Sequence, residues 1–434
     1  MSAYPSSAVS PPRVCLFEDA AAAGLEPLAL TRPAFDLLCG LTSLGDKQLR
    51  TFAAKTGGAV VRPHLADVVR WRHPDTAVND ADWLRSGPLV LVNARWLPPG
   101  GSVADCREPC VALVGQEVAY AVLSADQADD CPWGAGEDIL EALKPALPRR
   151  EAGGRLVRYL WELVHLNGEQ IAWDFAHPGV AAPPLAGLAL VGPEERLWVD
   201  PRAKVEPMVV ADTTGGPVVV GAGAVVSAFS RLEGPCGVGP GTHVLGAKVR
   251  AGTTLGPNCR IGGEVEGSII QGHSNKYHDG FLGHAYVGEW VNLGAGTSNS
   301  DLRNDYGEVT MTVNGRPVAT GMSKVGCFLG DHSKAGLGTL LNTGTSVGAF
   351  CNLLPSGGLL PKYLPSFASW WNGTLVENSD LPHLLATAAT VMGRRGAALT
   401  KAHAELYRAL FEQTAAERRR ALREAEQRRL RRGA

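Results

Sequence analysis

Residues 220–244 read V-G-A-G-A-V-V-S-A-F-S-R-L-E-G-P-C-G-V-G-P-G-T-H-V, with an aliphatic residue at every sixth place: Val220, Val226, Leu232, Val238 and Val244. After a slip come Val249, Leu255 and Ile261, and beyond an insertion Leu329, Ala335, Leu341 and Val347. Four places after most of these anchors stands a small residue: Ala224, Ser230, Cys236, Thr242, Thr253, Cys259, Ser333, Thr339, Thr345 and Cys351. A fixed short period marks a solenoid, whose coils bury their apolar face only against neighbouring coils. A bulky anchor with a small residue four later suits one side of a triangular parallel β-helix, the anchor inward and the small residue closing the corner. An all-β domain with frequent turns does not account for five anchors in unbroken register. The sequence predicts a β-helix over residues 195–360.

At 434 residues the chain exceeds one compact domain. The reading divides it into an α/β segment over 13–185, the β-helix, and a helical tail over 380–434. Residues 1–12, with Pro5, Pro11 and Pro12, are expected to be disordered. Net charge is −2, yet the chain from Lys401 onward carries ten Lys/Arg against five Glu. Arg418-Arg419-Arg420 and Arg428-Arg429 hint at a nucleic-acid tail. The interspersed Glu and Ala favour instead a solvated helix held by Glu–Arg pairs. Nine cysteines without a C-x-x-C pair read as reduced packing residues of a cytosolic protein. No apolar signal core or membrane-spanning stretch is present, so the expected location is cytoplasmic.

Near the start, Val14-Cys15-Leu16-Phe17 predicts a buried strand, and Lys47 falls in a predicted helix. Residues 88–95 predict a second buried strand, and ligands of open α/β sheets sit beyond the carboxyl ends of strands. Asn93 and Arg95 are therefore placed for a site, unless Asn93 merely caps the strand. A helix is expected over 154–175 and a linker at Pro183-Pro184. The segment Pro27-Leu28 to Thr31-Arg32-Pro33 resembles the phosphate-cradling early motif of sugar-phosphate nucleotidyltransferases. That resemblance implies a Rossmann-like nucleotidyltransferase fold with Arg32, Lys47 and Asn93 as nucleotide-binding residues. It also implies Mg2+ and UTP if the domain is active. The departures are Glu18-Asp19-Ala20 in place of a glycine-rich loop, Ala34 in place of a lysine, and Asn93 in place of a metal-binding aspartate. A surface salt bridge accounts for Arg32 or Lys47 equally well.

Two stretches interrupt the repeat. Residues 271–280 carry His273, Lys276 and His278, and residues 298–323 include a predicted β-hairpin turning at Asn314-Gly315. Histidine suits proton removal near neutrality, and His278 has Lys276 and Asp279 close by. The bland alternative is a histidine that fills a corner. The run continues His278-Asp279-Gly280-Phe281-Leu282-Gly283-His284-Ala285, then Val291-Asn292-Leu293-Gly294-Ala295-Gly296-Thr297, then Asn304-Asp305-Tyr306-Gly307. Together these resemble the left-handed β-helix acetyltransferase domain of the bifunctional enzymes that make UDP-N-acetylglucosamine. The resemblance implies acetyl transfer from acetyl-CoA to the amine of glucosamine 1-phosphate, with His278 as general base. By the same match Arg260 holds the sugar phosphate, and Asn292, Asn304 and Tyr306 bind substrate. Lys276 stands in for a missing second phosphate-binding lysine, and Phe281 replaces a tyrosine. A homotrimer sharing its sites between subunits is implied as well. Two rivals stay open. One is a zinc enzyme of carbonic-anhydrase type using His243, His273 and His278; the other is a non-catalytic sugar-nucleotide-binding protein.

Overall fold

A computed structural model describes residues 13–54, 57–100, 108–131, 133, 139–176, 187–355 and 357–433. The expected disorder of residues 1–12 and the linker at Pro183-Pro184 lie outside the described residues. The chain forms two compact units: Met1–Ala22, Pro33–Asp36 and Leu44–Val157 in the first, and Ala23–Arg32, Leu37–Ser43 and Arg158–Ala434 in the second.

The first unit is built on a seven-stranded sheet. Val14–Phe17 lies inside it, next to the central strand, parallel to Gly58–Val60 on one side and to Leu89–Asn93 on the other. Beyond Leu89–Asn93 the sheet turns antiparallel through Glu117–Leu123. Both predicted strands are fully buried, as their unbroken apolar runs require. Lys47 falls in the helix Leu44–Thr51. The helix expected over 154–175 begins only at Leu160 and runs to Phe175. Before it, Gly153 and Gly154 adopt φ of +67° and +70°, and Arg155–Leu156 pairs as a short strand with Trp96–Leu97.

The second unit is the left-handed β-helix. Its three parallel sheets begin at Ala189–Val191 and end at Ala368–Trp371, where Thr374–Glu377 adds an antiparallel edge strand. The solenoid thus begins slightly before the predicted range and ends slightly beyond it. All twelve anchors are buried and belong to one core. The small residues four places on are buried too, where a larger side chain would hold the corner open. Burying a Val or Leu side chain contributes about 1.5–3 kcal/mol, so the anchors outweigh the entropy of any single short strand only collectively. The helix Leu160–Phe175 also belongs to this unit. Asn167 donates to the Gly252 carbonyl at 2.8 Å and to Thr254 Oγ1 at 3.0 Å, and accepts from the Gly40 amide at 2.7 Å. The second interruption holds the expected hairpin, Thr310–Val313 paired with Arg316–Ala319, turning at Asn314 and Gly315 with φ of 50° and 71°.

One corner carries a feature the six-residue reading passed over. The third residue after the anchors of one sheet is left-handed in coil after coil: Asn258, His273, Trp290, His332, Phe350 and Phe367, with φ between 53° and 61°. Left-handed geometry costs a non-glycine residue roughly 1–2 kcal/mol. Here ring stacking offsets it. His273 stacks on Trp290 at 4.3 Å, His332 on Phe350 at 4.6 Å, and Phe350 on Phe367 at 5.1 Å. The helix Lys401–Gln413 covers this column, with Tyr407 edge-on to His332 and Phe350 and Phe411 edge-on to Phe367.

The tail forms the helices Leu381–Gly393, Lys401–Gln413 and Ala415–Gly433. The expectation of a solvated Glu–Arg helix is corrected at Arg418. Its guanidinium is buried, pairs with Glu377 at 2.6 Å and lies 4.4 Å from the Phe411 ring centre. Farther along, Arg428 and Glu424 form the exposed pair the spacing suggested. Among the described residues, no helix is long and apolar enough to cross a membrane.

His332 lies within the aromatic column, its Nε2 2.9 Å from the Tyr407 hydroxyl. Burial first, then the Lys334 ammonium, pushes its ring well below the ordinary 6.5. Below about pH 6.5 the unfolded chain binds a proton that the folded ring refuses. Stability present above that pH is therefore lost as the pH falls toward the folded-state value. His332→Phe keeps the stack and removes this titration. Its unfolding free energy should fall less steeply than the wild type's between about pH 6.5 and 4.5, measured by denaturant melts; equal slopes would contradict the account.

Candidate active site

The solenoid register places one outward residue above another along a single sheet. His243 pairs with Arg260, Arg260 with Asn275, Asn275 with Asn292, Asn292 with Lys334, and Lys334 with Asn352. Neighbouring strands lie about 4.8 Å apart, so these six residues form a polar column roughly 24 Å long. Against it opens a cavity of about 450 Å³ lined by Arg260, Asn275, His278 and Asn292 together with Arg394 and Arg395. Farther along the column a second cavity of about 420 Å³ is lined by Lys334, Asn352 and Trp371 among others.

Of the residues expected to work together, Arg260, His278 and Asn292 meet at the first cavity, drawn from three successive coils. His278 is exposed, its ring edge-on to Tyr277 at 5.0 Å. Arg260 is steadied by Nη1, which donates to the carbonyls of Cys259 at 2.9 Å and Gly241 at 3.2 Å. Asn275 donates to Asn292 Oδ1 at 3.1 Å. His243 is held below its ordinary value, by burial first and then by the charges of Arg260 and Arg395.

Lys276 corrects the reading. It pairs with Ile261 and stands in the inward column, where the repeat elsewhere puts an aliphatic anchor. Its side chain is 2% exposed, and its ammonium donates to the carbonyls of Gly262 at 3.0 Å and His278 at 2.6 Å. It therefore holds the backbone under His278 and does not line the cavity. Burial lowers it from 10.5 to about 8, against the pull of Asp279. Asn304 and Tyr306 are not brought to this cavity either. They lie on the insertion, with Tyr306 75% exposed at φ 55°.

The histidines of the zinc alternative diverge. His273 stacks in the aromatic column while His278 faces the cavity. Among the described residues no three His, Cys, Asp or Glu side chains group as a metal set.

The nucleotide-binding candidates are committed to internal partners. Arg32, 1% exposed, pairs with Asp331 and with Glu289, the latter at 3.3 Å. Thr31 donates to the same Asp331 carboxylate at 2.8 Å. Lys47 is buried. Asn93 is buried at the strand end, donating to Asp19 at 2.8 Å and to the Val118 carbonyl at 3.1 Å. Arg95 donates to both oxygens of Asp19, at 2.7 and 2.6 Å, and reaches Glu117 at 3.0 Å. Burial pushes Asp19 up, but the bonds from Arg95 and Asn93 outweigh it and hold the carboxyl below its ordinary value. This donor set does not fit Mg2+. Both Asp19 oxygens are taken by a guanidinium, and Asn93 offers an N–H where an oxygen ligand is needed.

Residues 14–178 match the family model described as sugar nucleotidyl transferase. The bifunctional sugar-1-phosphate nucleotidylyltransferase/acetyltransferase of Sulfurisphaera tokodaii is 34% identical over 109 residues, covering 25% of this chain and 27% of that protein. The bifunctional protein GlmU of Rhodococcus jostii is 33% identical over 299 residues, covering 64% of this chain and 53% of that protein. This chain is similar to the bifunctional GlmU proteins. GlmU of Azoarcus sp. adds 41% identity over 85 residues, 18% of each chain. The matches thus span from about a fifth to about half of these relatives' lengths.

Within this GlmU-like framework, Asn275, Arg394 and Arg395 are polar cavity residues that the spacing does not single out. The two arginines occur in an arginine-bearing helical tail, where nothing in the spacing separates a cavity arginine from a solvated one. Lys276 falls outside the six-residue frame because one coil is only fifteen residues long, as the pairs Leu255–Ile270 and Ile261–Lys276 both show.

The inward lysine has a measurable signature. Between about pH 8 and 10.5 the unfolded chain binds a proton that the folded Lys276 has released. Stability should therefore rise with pH across that window. Lys276→Met keeps the volume and should remove this rise in denaturant melts; an unchanged slope would put the ammonium outside the fold.

Proposed function

We propose that the β-helix unit acetylates the amine of an amino-sugar phosphate, glucosamine 1-phosphate, using acetyl-CoA. The observation that carries this reading is the meeting of Arg260, His278 and Asn292 at one cavity on the outward column. These are three of the residues that the resemblance assigned to phosphate binding, proton transfer and sugar binding. The column runs on along the second cavity, from Lys334 one strand spacing beyond Asn292 to Ser369 three spacings, or roughly 14 Å, beyond it. That length suits the extended arm of CoA.

In the reaction the amine nitrogen forms a bond to the thioester carbonyl carbon and the carbon–sulfur bond breaks. His278 takes the proton from the amine, and the leaving CoA thiolate is protonated in turn. Arg260 neutralises the phosphate and fixes the sugar, so part of the rate comes from positioning before charge develops. Lys276 acts through His278, by holding its carbonyl. Exposed Tyr306 and Asn304, together with Leu337 at the cavity rim, 73% exposed, support assembly as a homotrimer in which the insertion serves a neighbouring copy. Sedimentation equilibrium should give a trimer mass, and a monomer at micromolar concentration would sink that part of the reading.

For the first unit the Arg95–Asp19–Glu117 cluster favours a sugar-nucleotide-binding role over uridylyl transfer. Turnover with UTP would require that ion pair to open.

His278→Ala should lower acetyl transfer by roughly two to four orders of magnitude. Acetyl-CoA affinity should hold, because the imidazole acts on the amine. His278→Asn should fail alike, whereas His273→Ala should change the rate far less. Equal losses at His273 and His278, with bound zinc released from both, would replace acetyl transfer by the metal reading.

A further inference from the structure

The first cavity holds more positive charge than the resemblance requires. Arg260 comes from a solenoid strand, while Arg394 and Arg395 come from the end of the helix Leu381–Gly393. No acidic residue lines this cavity, and none of the three guanidiniums has a carboxylate partner among the described residues. Three like charges converging without a counterion are costly, and an anionic ligand would remove that cost.

The helix end is built to hold its arginines there. Its own Leu385, Ala388 and Met392 are buried and seat it. Gly396, at φ +72°, closes the helix, and the amides of Arg395 and Ala397 both donate to the Met392 carbonyl, at 2.9 and 3.1 Å. A cation at a helix C-terminus is favourable by itself. That bland account does not explain why Arg395 reaches across to a solenoid side chain, donating to Asn275 Oδ1 at 2.5 Å.

This contact sets the hydrogen-bond polarity of the wall. A guanidinium can only donate, so Asn275 must present its oxygen to Arg395 and its amide nitrogen to Asn292. Asn292 accepts through Oδ1 at 3.1 Å, which leaves its own N–H groups directed onward as donors. Arg260, Arg394, Arg395 and Asn292 therefore all offer donors, and the complementary ligand is a pure acceptor carrying negative charge.

We propose that Arg395, with Arg394 and Arg260, is the binding site for the phosphate of the acceptor sugar, supplied to the solenoid by the chain's own C-terminal helix. The choice of a sugar phosphate over the phosphates of CoA rests on the acetyl-transfer reading above; the anion site itself does not. The cavity faces His278, at the reacting end of the column, which favours the acceptor's phosphate over the distant nucleotide of CoA.

The test is calorimetric binding to the full-length protein of glucosamine 1-phosphate, acetyl-CoA and inorganic pyrophosphate in turn. Arg395→Ala should weaken glucosamine 1-phosphate and pyrophosphate roughly 10- to 100-fold, the range of a charge-assisted contact. Acetyl-CoA should stay within about twofold, and Arg395→Lys should recover part of the loss. Thermal melts of both variants check that the helix remains docked, and Arg394→Ala supplies a second variant should Arg395→Ala melt early. Undiminished sugar-phosphate binding in both alanine variants overturns the proposal, as does a loss confined to acetyl-CoA, or a wild type that binds neither anion. Anion binding lost with Arg395 in a protein that transfers no acetyl group would sustain the site while removing the reaction.

Discussion

The second unit depends on coil-to-coil register. Each short strand finds its hydrogen bonds only on the coils before and after it, and each anchor meets water unless those coils bury it. Register therefore fixes both faces together. Stacking Val244, Ile261, Lys276 and Leu293 inward necessarily stacks His243, Arg260, Asn275 and Asn292 outward, because successive residues of a strand point to opposite faces. The cavity is a consequence of the core. The same register explains how a lysine is tolerated inside. Its ammonium finds two carbonyls that the coil would otherwise leave to other partners, and the solvation lost on burial appears as its lowered pKa.

Much of this was legible because the anchors repeat. The β-helix, the insertion after Thr297 and its hairpin at Asn314-Gly315 follow from spacing and turn chemistry, whereas residues 271–280, expected as an interruption, form a coil in register with its neighbours. The aromatic column was legible too, since its members stand three places after anchors, but a search for small corner residues passes over a position filled by histidine and phenylalanine. Lys276 was not legible. One fifteen-residue coil shifts the frame, and a lysine in a polar stretch reads as a surface cation. Arg394 and Arg395 were equally hidden, since what distinguishes them is the seating of a helix on buried Leu385, Ala388 and Met392. Arg32 was read as a phosphate ligand because its partners, Asp331 and Glu289, lie some 300 and 257 residues away in sequence.

The first unit shows the opposite use of a guanidinium. Among the described residues Arg395 is held where no carboxylate answers it, whereas Arg95 is saturated by Asp19 and Glu117. The first arrangement invites an anion; the second consumes the acidic groups that a metal-dependent transferase would need. The acidic groups of the first unit are thus engaged internally, whereas the cationic cavity of the solenoid stays open.

The central claim is that the outward column carries an acetyl transfer to an amino-sugar phosphate. Its most direct test gives purified full-length protein acetyl-CoA with and without glucosamine 1-phosphate, following free CoA thiol and the mass of the sugar. The account predicts thiol release only when the sugar phosphate is present, matched one for one by a product heavier by a single acetyl group on the amine. No release, or release at the same rate without the sugar, would contradict it.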